Sequence, residues 1–337
     1  MAEGYVGSGF SRILRSAAYS SRSPKRQGWA VGNDGFIRQG APVGVEPALQ
    51  PRPEYGHANA RLLVVTAAVL FSTGGAAIKW TTLTAWQVAG MRSLIAAAAL
   101  LALLPDARKY WSRRGWIVGV VYAATLVLFV TANKLTTSAN AIFLQAVAPV
   151  YILLAAPFVL GEHVTPRDVP FVAVMALGMA AFFVGSDVPV ASAPNPRAGN
   201  LVAAASGVTY ALTVMGLRAI ARAEPRATLN TIVSGNLVAA AVCLPLGWPI
   251  EGAVAADWIA LTWLGVFQIG LAYLCLSKGV SAVTALEASL LLLAEPVLNP
   301  VWSWLVHGEH PGRWAIAGGL LIMAATTVRA VTAPSRP

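Results

Sequence analysis

Charged side chains are scarce in this sequence, with 24 basic and 14 acidic residues among 337, or 11%. A water-soluble globule needs far more polar cover than that, so a large soluble core is excluded. Cysteine is nearly absent. Cys243 and Cys275 both fall inside apolar runs, which suits neither a disulfide framework nor a zinc site and leaves them as small packing residues. The four histidines, His57, His163, His307 and His310, lie at the ends of apolar runs or in the N-terminal stretch, and no His-Glu-x-x-His helix is present. A Gly-Lys-Ser/Thr phosphate loop and a serine–histidine–acid set are also missing, so direct ATP drive and hydrolytic catalysis are not expected, and no motif asks for a cofactor.

What remains is apolar: 57% of residues are hydrophobic and the mean hydropathy is +0.64. A bilayer core of about 30 Å requires roughly 20 apolar residues per helix. By that ruler the chain divides into ten spans, 61–80, 83–104, 115–133, 138–160, 168–186, 199–217, 228–247, 257–277, 283–306 and 313–331. The expected fold is therefore all-α and integral to the membrane. Its connections are too short for a second globular domain. The net charge of +10 lies at span ends and in the N-terminal stretch, without the aromatic interleaving that reads bases. That excludes nucleic acid and favours anionic lipid head groups as the partner.

Orientation follows from the same charges. With the N-terminus in the cytoplasm, the inner loops hold Arg108, Lys109, Arg113, Arg114, Arg167, Arg218, Arg222, Arg226 and Lys278, and Arg329 and Arg336 end the chain. The outer loops hold Lys79, Lys134, Arg197 and Arg313. The positive-inside rule then predicts both termini in the cytoplasm. Residues 1–58 are Gly-, Ser-, Pro- and Arg-rich, and a disordered basic tail is expected there, either a solvated tail, a mis-set start or a transit-like segment.

One stretch occurs twice. Pro149 leads to Gly161-Glu162-His163, and Pro296 leads to Gly308-Glu309-His310, with the same spacing (161 − 149 = 308 − 296 = 12) and an offset of 147 (296 − 149). Ala139-Asn140-Ala141 and Leu286-Glu287-Ala288 keep that offset, and Ser72 beside a glycine pair echoes Ser206-Gly207. Two repeats are expected, 61–187 and 198–331, joined through the Pro-rich loop 188–197. Five spans per repeat force the second to enter from the opposite side, the inverted arrangement that places a site near the midplane.

These features resemble the drug/metabolite transporter superfamily, specifically its ten-helix carriers with two five-helix repeats. The resemblance covers residues 61–331. It rests on the two proline-to-Gly-Glu stretches, on Arg92 after Trp86 in the second span, and on Ala272-Tyr273-Leu274 followed by Ser277-Lys278-Gly279. It implies a carrier of the bacterial inner membrane rather than an enzyme, acting as a monomer or homodimer on a small molecule. The bacterial exporters of aromatic and other amino acids look closest. Drugs, sugars and nucleotide-linked metabolites are the alternative cargoes, and an integral-membrane enzyme or sensor is the alternative class.

Candidate functional residues are the polar groups inside the spans. Pro149 and Pro296 each remove one backbone bond, freeing the carbonyls of Gln145 and Leu292, and act as hinges or as fixed kinks. Glu295 costs about 2.5–3.5 kcal/mol if it faces lipid, so it must face protein or water. It either binds a substrate amine, takes a coupling proton, or pairs structurally. Glu287, Leu291, Glu295, Asn299 and Ser303 recur every fourth residue and predict one polar helix face. Span four carries Ala148 where span nine carries Glu295, so that chemistry belongs to one repeat.

Arg92 is too far from its helix end to snorkel, which leaves an acid or helix-end carbonyls as structural partners, or a substrate carboxylate. Gln145, Tyr210, Gln268, Glu295, Asn299 and Trp302 are the expected substrate-binding residues, and Glu295 with Arg92 the coupling or ion-pair candidates. Glu162 and Glu309 are expected to cap a helix N-terminus at their corners. These corners lie on opposite faces, so no metal site is expected.

Overall fold

A computed structural model describes residues 57–159, 166–184, 190–280 and 283–332. The expected tail and the Gly161-Glu162-His163 corner lie outside these residues, except that His57 already begins the first helix. Among the described residues the chain is helical, with one isolated bridge between Val190 and Ala193.

Three of the expected spans are broken in two. The first consists of α1 (His57–Ser72) and α2 (Gly74–Trp80). Ser72 and Thr73 donate their hydroxyls to the carbonyls of Val69 (2.6 Å) and Leu70 (2.7 Å), which competes with the backbone ladder and bends the helix. α3 (Ala85–Leu103) and α4 (Arg113–Leu135) follow as unbroken spans. The fourth consists of α5 (Ser138–Gln145) and α6 (Ala148–Val159).

α7 (Val169–Val184) is apolar but, at 16 residues, shorter than the nine segments long enough to cross a membrane among the described residues. α8 (Pro196–Ala223) and α9 (Thr228–Gly247) begin the second half. α10 (Ala255–Thr262) runs through a π-helical stretch, Trp263–Leu271, into α11 (Ala272–Gly279). The ninth span consists of α12 (Ala285–Leu292) and α13 (Ala294–His307), and α14 (Arg313–Thr332) closes the chain.

The breaks correct the reading of Pro149 and Pro296 as mid-helix residues. α6 starts at Ala148 and α13 at Ala294, so each proline stands in the first turn of a new segment, where its missing N–H is tolerated. The breaks at Ala146 and Leu293 are separated by the repeat offset of 147 (293 − 146). Their caps match as well. Thr137 accepts from Asn140 N at 3.2 Å, and Thr284 accepts from Glu287 N at 3.2 Å.

The two halves interleave, with α3 and α4 packed against α8 and α9, while α14 lies along α7. Glycine permits the closest approaches. A Cβ on Gly115 would stand 2.9 Å from Thr231 Oγ1, and one on Gly119 would overlap Ser234 Oγ. Each half also reaches into the other through a serine. Trp302 Nε1 on α13 donates to Ser72 Oγ on α1 (2.8 Å), and Gln145 Nε2 on α5 donates to Ser206 Oγ on α8 (2.7 Å). Tryptophans at both ends of the bundle, including Trp80, Trp111, Trp116 and Trp248, are exposed as interfacial anchors are.

Candidate functional site

Helix ends fall on two faces, here termed proximal (where α1 begins) and distal. The distal face is closed by buried polar contacts. Lys79 Nζ lies 3.2 Å from Glu309 Oε1, with both side chains about 5% exposed or less (5% and 4%). Lys79 also donates to the carbonyls of Thr136 (2.8 Å) and Ser192. Glu309 Oε2 accepts from Ser138 N at 2.9 Å, so the carboxylate caps α5 at its N-terminus, as a negative charge there should. Thr136 Oγ1 and Asn140 Nδ2 both donate to Asn200 Oδ1 (2.8 and 3.0 Å), and Thr82 N donates to the buried Asp257 at 2.7 Å. Ion pairs at the proximal face, Arg114–Glu224 (3.5 Å), Arg61–Glu287 and Arg329–Asp168, are more exposed.

Between the faces is a cavity of about 340 Å³, within the range that holds a small organic molecule. It runs from Arg92 and Ile142 toward the proximal ends of α8, α11 and α12, where Leu217, Leu276 and Ser289 line it. Both helix breaks border it, through Gln145 and Ala146 on one side and Leu292, Leu293, Glu295 and Pro296 on the other. Gln145 and Leu292 are the residues whose carbonyls the prolines leave without their helical N–H. Irregular backbone inside a membrane is tolerated where it lines such a space. The π-helical stretch contributes Gln268 and Ile269, a local widening of the helix common at functional positions.

The cavity wall is mostly apolar and aromatic. Among the described residues that line it, Arg92 is the one basic residue and Glu295 the one acid. Arg92 is 3% exposed, and its Nε and Nη1 have no hydrogen-bond partner. Among the described residues no ion pair joins it to Glu295. Tyr122, Tyr210 and Tyr273 supply rings, Phe71 meets Tyr273 edge-on at 5.2 Å, and Thr125 and Thr213 share a hydroxyl contact of 3.1 Å.

Of the residues expected from sequence, Gln145, Tyr210, Gln268, Glu295, Arg92 and Pro296 come together on this cavity. Asn299, Trp302 and Pro149 are not among its lining residues. Asn299 is fully buried, and a Cβ on Gly75 would stand 2.7 Å from its Oδ1, so it packs against α2 instead. Trp302 is held by Ser72. The predicted polar stripe is divided by the break at Leu293, with Glu287 at the proximal end beside Arg61. Sequence reasoning missed Tyr122, Thr125 and Thr213. Their only signal is a polar atom in an apolar span, which packing residues share.

The profile of the EamA-like transporter family matches residues 59–184 and again 197–329. The chain belongs to that family of the drug/metabolite transporter superfamily, and it is a membrane transporter. It is 29% identical over 274 residues to the pseudopaline exporter CntI of Pseudomonas aeruginosa (strain UCBPP-PA14), covering 78% of this chain and 93% of that one. It is 26% identical over 276 residues to the aromatic amino acid exporter YddG of Ancylobacter novellus, covering 78% and 94%. A Streptomyces coelicolor protein described as a glycosyltransferase, SCO3672, is 33% identical over 137 residues, which is 36% of this chain and 31% of that one. A solved crystal structure aligns with a TM-score of 0.56 at 23% identity, over 81% of this chain and 98% of its own, and shares the fold.

Proposed function

We propose that this protein is a secondary-active or facilitative exporter of small metabolites, foremost amino acids including aromatic ones, and not an enzyme. It resides in a bacterial inner membrane with both termini, and so the proximal face, in the cytoplasm. The single observation that carries this reading is that both helix breaks border one cavity between the interleaved halves. Paired discontinuous helices around a central site are how repeat-built carriers bind and release cargo. The cavity reaches toward the proximal face while the distal face is sealed, the arrangement of a carrier loading from inside.

Alternating access then consists of rocking the two inverted repeats, 61–187 and 198–331, with Pro149 and Pro296 at the bends. Gln145, Tyr210, Gln268 and Glu295 contact the cargo, and Glu295 binds its amine or exchanges a proton. Phosphorylated cargo is disfavoured, because a single base faces the cavity. The relative named as an aromatic amino acid exporter supports the amino-acid class, and the one named as a pseudopaline exporter supports export of a small metabolite.

The test is efflux of labelled amino acids from proteoliposomes, with and without a pH gradient, for the wild type and Glu295→Gln. Saturable efflux from the wild type is the expected result. A response to the gradient that Glu295→Gln abolishes assigns proton coupling to that residue. Equal efflux from both proteins, without a pH response, makes the protein a facilitator. Folded wild-type protein that moves no amino acid overturns the cargo.

A further inference from the structure

Arg92 stands in the distal half of α3, buried, with two guanidinium nitrogens, Nε and Nη1, that no group among the described residues satisfies. A guanidinium removed from water is costly to leave unpaired, and structural arginines inside membranes end on a carboxylate or on helix-end carbonyls. The neighbouring charges are committed elsewhere: Glu309 to Lys79 at the distal seal and Glu287 to Arg61 at the proximal end. Glu295 faces the same cavity from α13 without forming an ion pair with Arg92. The result is one cation and one acid held apart on the walls of one space, with tyrosine rings beside them.

Resting on the amino-acid reading above, we propose that Arg92 recognises the cargo's carboxylate and so restricts the carrier to zwitterionic α-amino acids. The planar fork of donors suits a carboxylate in a bidentate contact, which a single ammonium could not reproduce. The carboxylate takes the Nε and Nη1 that no described residue satisfies, and the cargo's ammonium turns toward Glu295. The side chain of the cargo then lies among Tyr122, Tyr210 and Tyr273, where an aromatic ring gains most. An amine or amide of the same shape leaves Arg92 buried and bare, and is rejected for that reason.

The experiment is competition against labelled L-phenylalanine on purified full-length protein in lipid nanodiscs, with unlabelled L-phenylalanine, L-phenylalaninamide and phenylethylamine. In the wild type, the amide and the amine should compete about 10- to 100-fold more weakly than the amino acid, the range expected for losing a charged hydrogen bond. Arg92→Gln should bring the three competitors within about threefold of one another, and Arg92→Lys should keep part of the preference. Because the wild-type series needs no variant, a misfolded Arg92→Gln does not rescue the idea. Competition by the amide equal to that of the amino acid in wild type overturns the role of Arg92 while the amino-acid reading stands. So does an undiminished preference in folded Arg92→Gln. Wild-type protein that binds none of the three overturns the amino-acid reading and this proposal with it.

Discussion

Trp302 and Glu295 are seven positions apart on the same helical span (302 − 295) yet have different surroundings. Glu295 faces the cavity, whereas Trp302 Nε1 is bound to Ser72. We predict that Trp302→Phe lowers the melting temperature by an amount equivalent to about 1 kcal/mol, the net value of one hydrogen bond. Cargo affinity should stay within about twofold. A tenfold loss of affinity with unchanged melting would return Trp302 to the binding residues. A recurrence of four placed Asn299 and Ser303 with Glu295 on one face. An α-helix repeats every 3.6 residues, so such a stripe drifts, and the break at Leu293 divides it further. Asn299 and Ser303 are instead buried. Glu295 itself was legible because an acid deep in an apolar span has few places to be, and Arg92 was legible for the same reason.

At the scale of elements, apolar length and the rule of about 20 residues located the spans. The matched breaks were legible only through their prolines, which mark the place to within a turn without saying where the helix separates. The break at Ser72–Thr73 and the π-helical stretch carry no proline. They depend on hydroxyls competing for carbonyls and on packing against neighbouring helices, which a linear pattern does not contain. Gly115 and Gly119 stand four apart, a small-xxx-small spacing that permits close helix contact without naming the partner. That partner is α9, at Thr231, Ser234 and Gly235. We predict that Gly119→Val, which must displace Ser234, destabilises the protein by about 1–3 kcal/mol. Val120→Ala, on the exposed face one residue on, should stay within about 0.5 kcal/mol. Thermal unfolding in detergent distinguishes them, and equal melting temperatures would show that α4 and α9 are not in contact there.

The whole molecule is asymmetric between its faces. Fixed, buried bonds close the distal side, and exposed ion pairs border the proximal one. Removing one partner of a buried pair typically costs 3–5 kcal/mol, because the other charge is left behind. Glu309→Gln should therefore weaken the distal seal and shift the population toward distal opening. The check is a cysteine placed at Ile142, in a protein with Cys243 and Cys275 replaced by Ala, labelled by a membrane-impermeant thiol reagent from the distal side. Labelling should accelerate at least tenfold in Glu309→Gln. An unchanged rate would mean that Lys79 and Glu309 are packing rather than latch. Glu309 was recognisable in the sequence as a capping acid, but Lys79 as its partner was not, since 230 residues (309 − 79) separate them.

Arg92, whose Nε and Nη1 find no hydrogen-bond partner among the described residues, bears on the direction in which the cycle runs most easily. If Arg92 holds the passenger's carboxylate as proposed, a carrier that has released its passenger makes the return journey without that partner, and a loaded one keeps it. Return should therefore be the slow leg, quickened whenever a second passenger boards on the far side. Unlabelled amino acid outside the vesicle should speed the exit of labelled amino acid from within, so that one-for-one exchange outruns net loss. Exchange no faster than net loss would show that the empty return is not the slow leg.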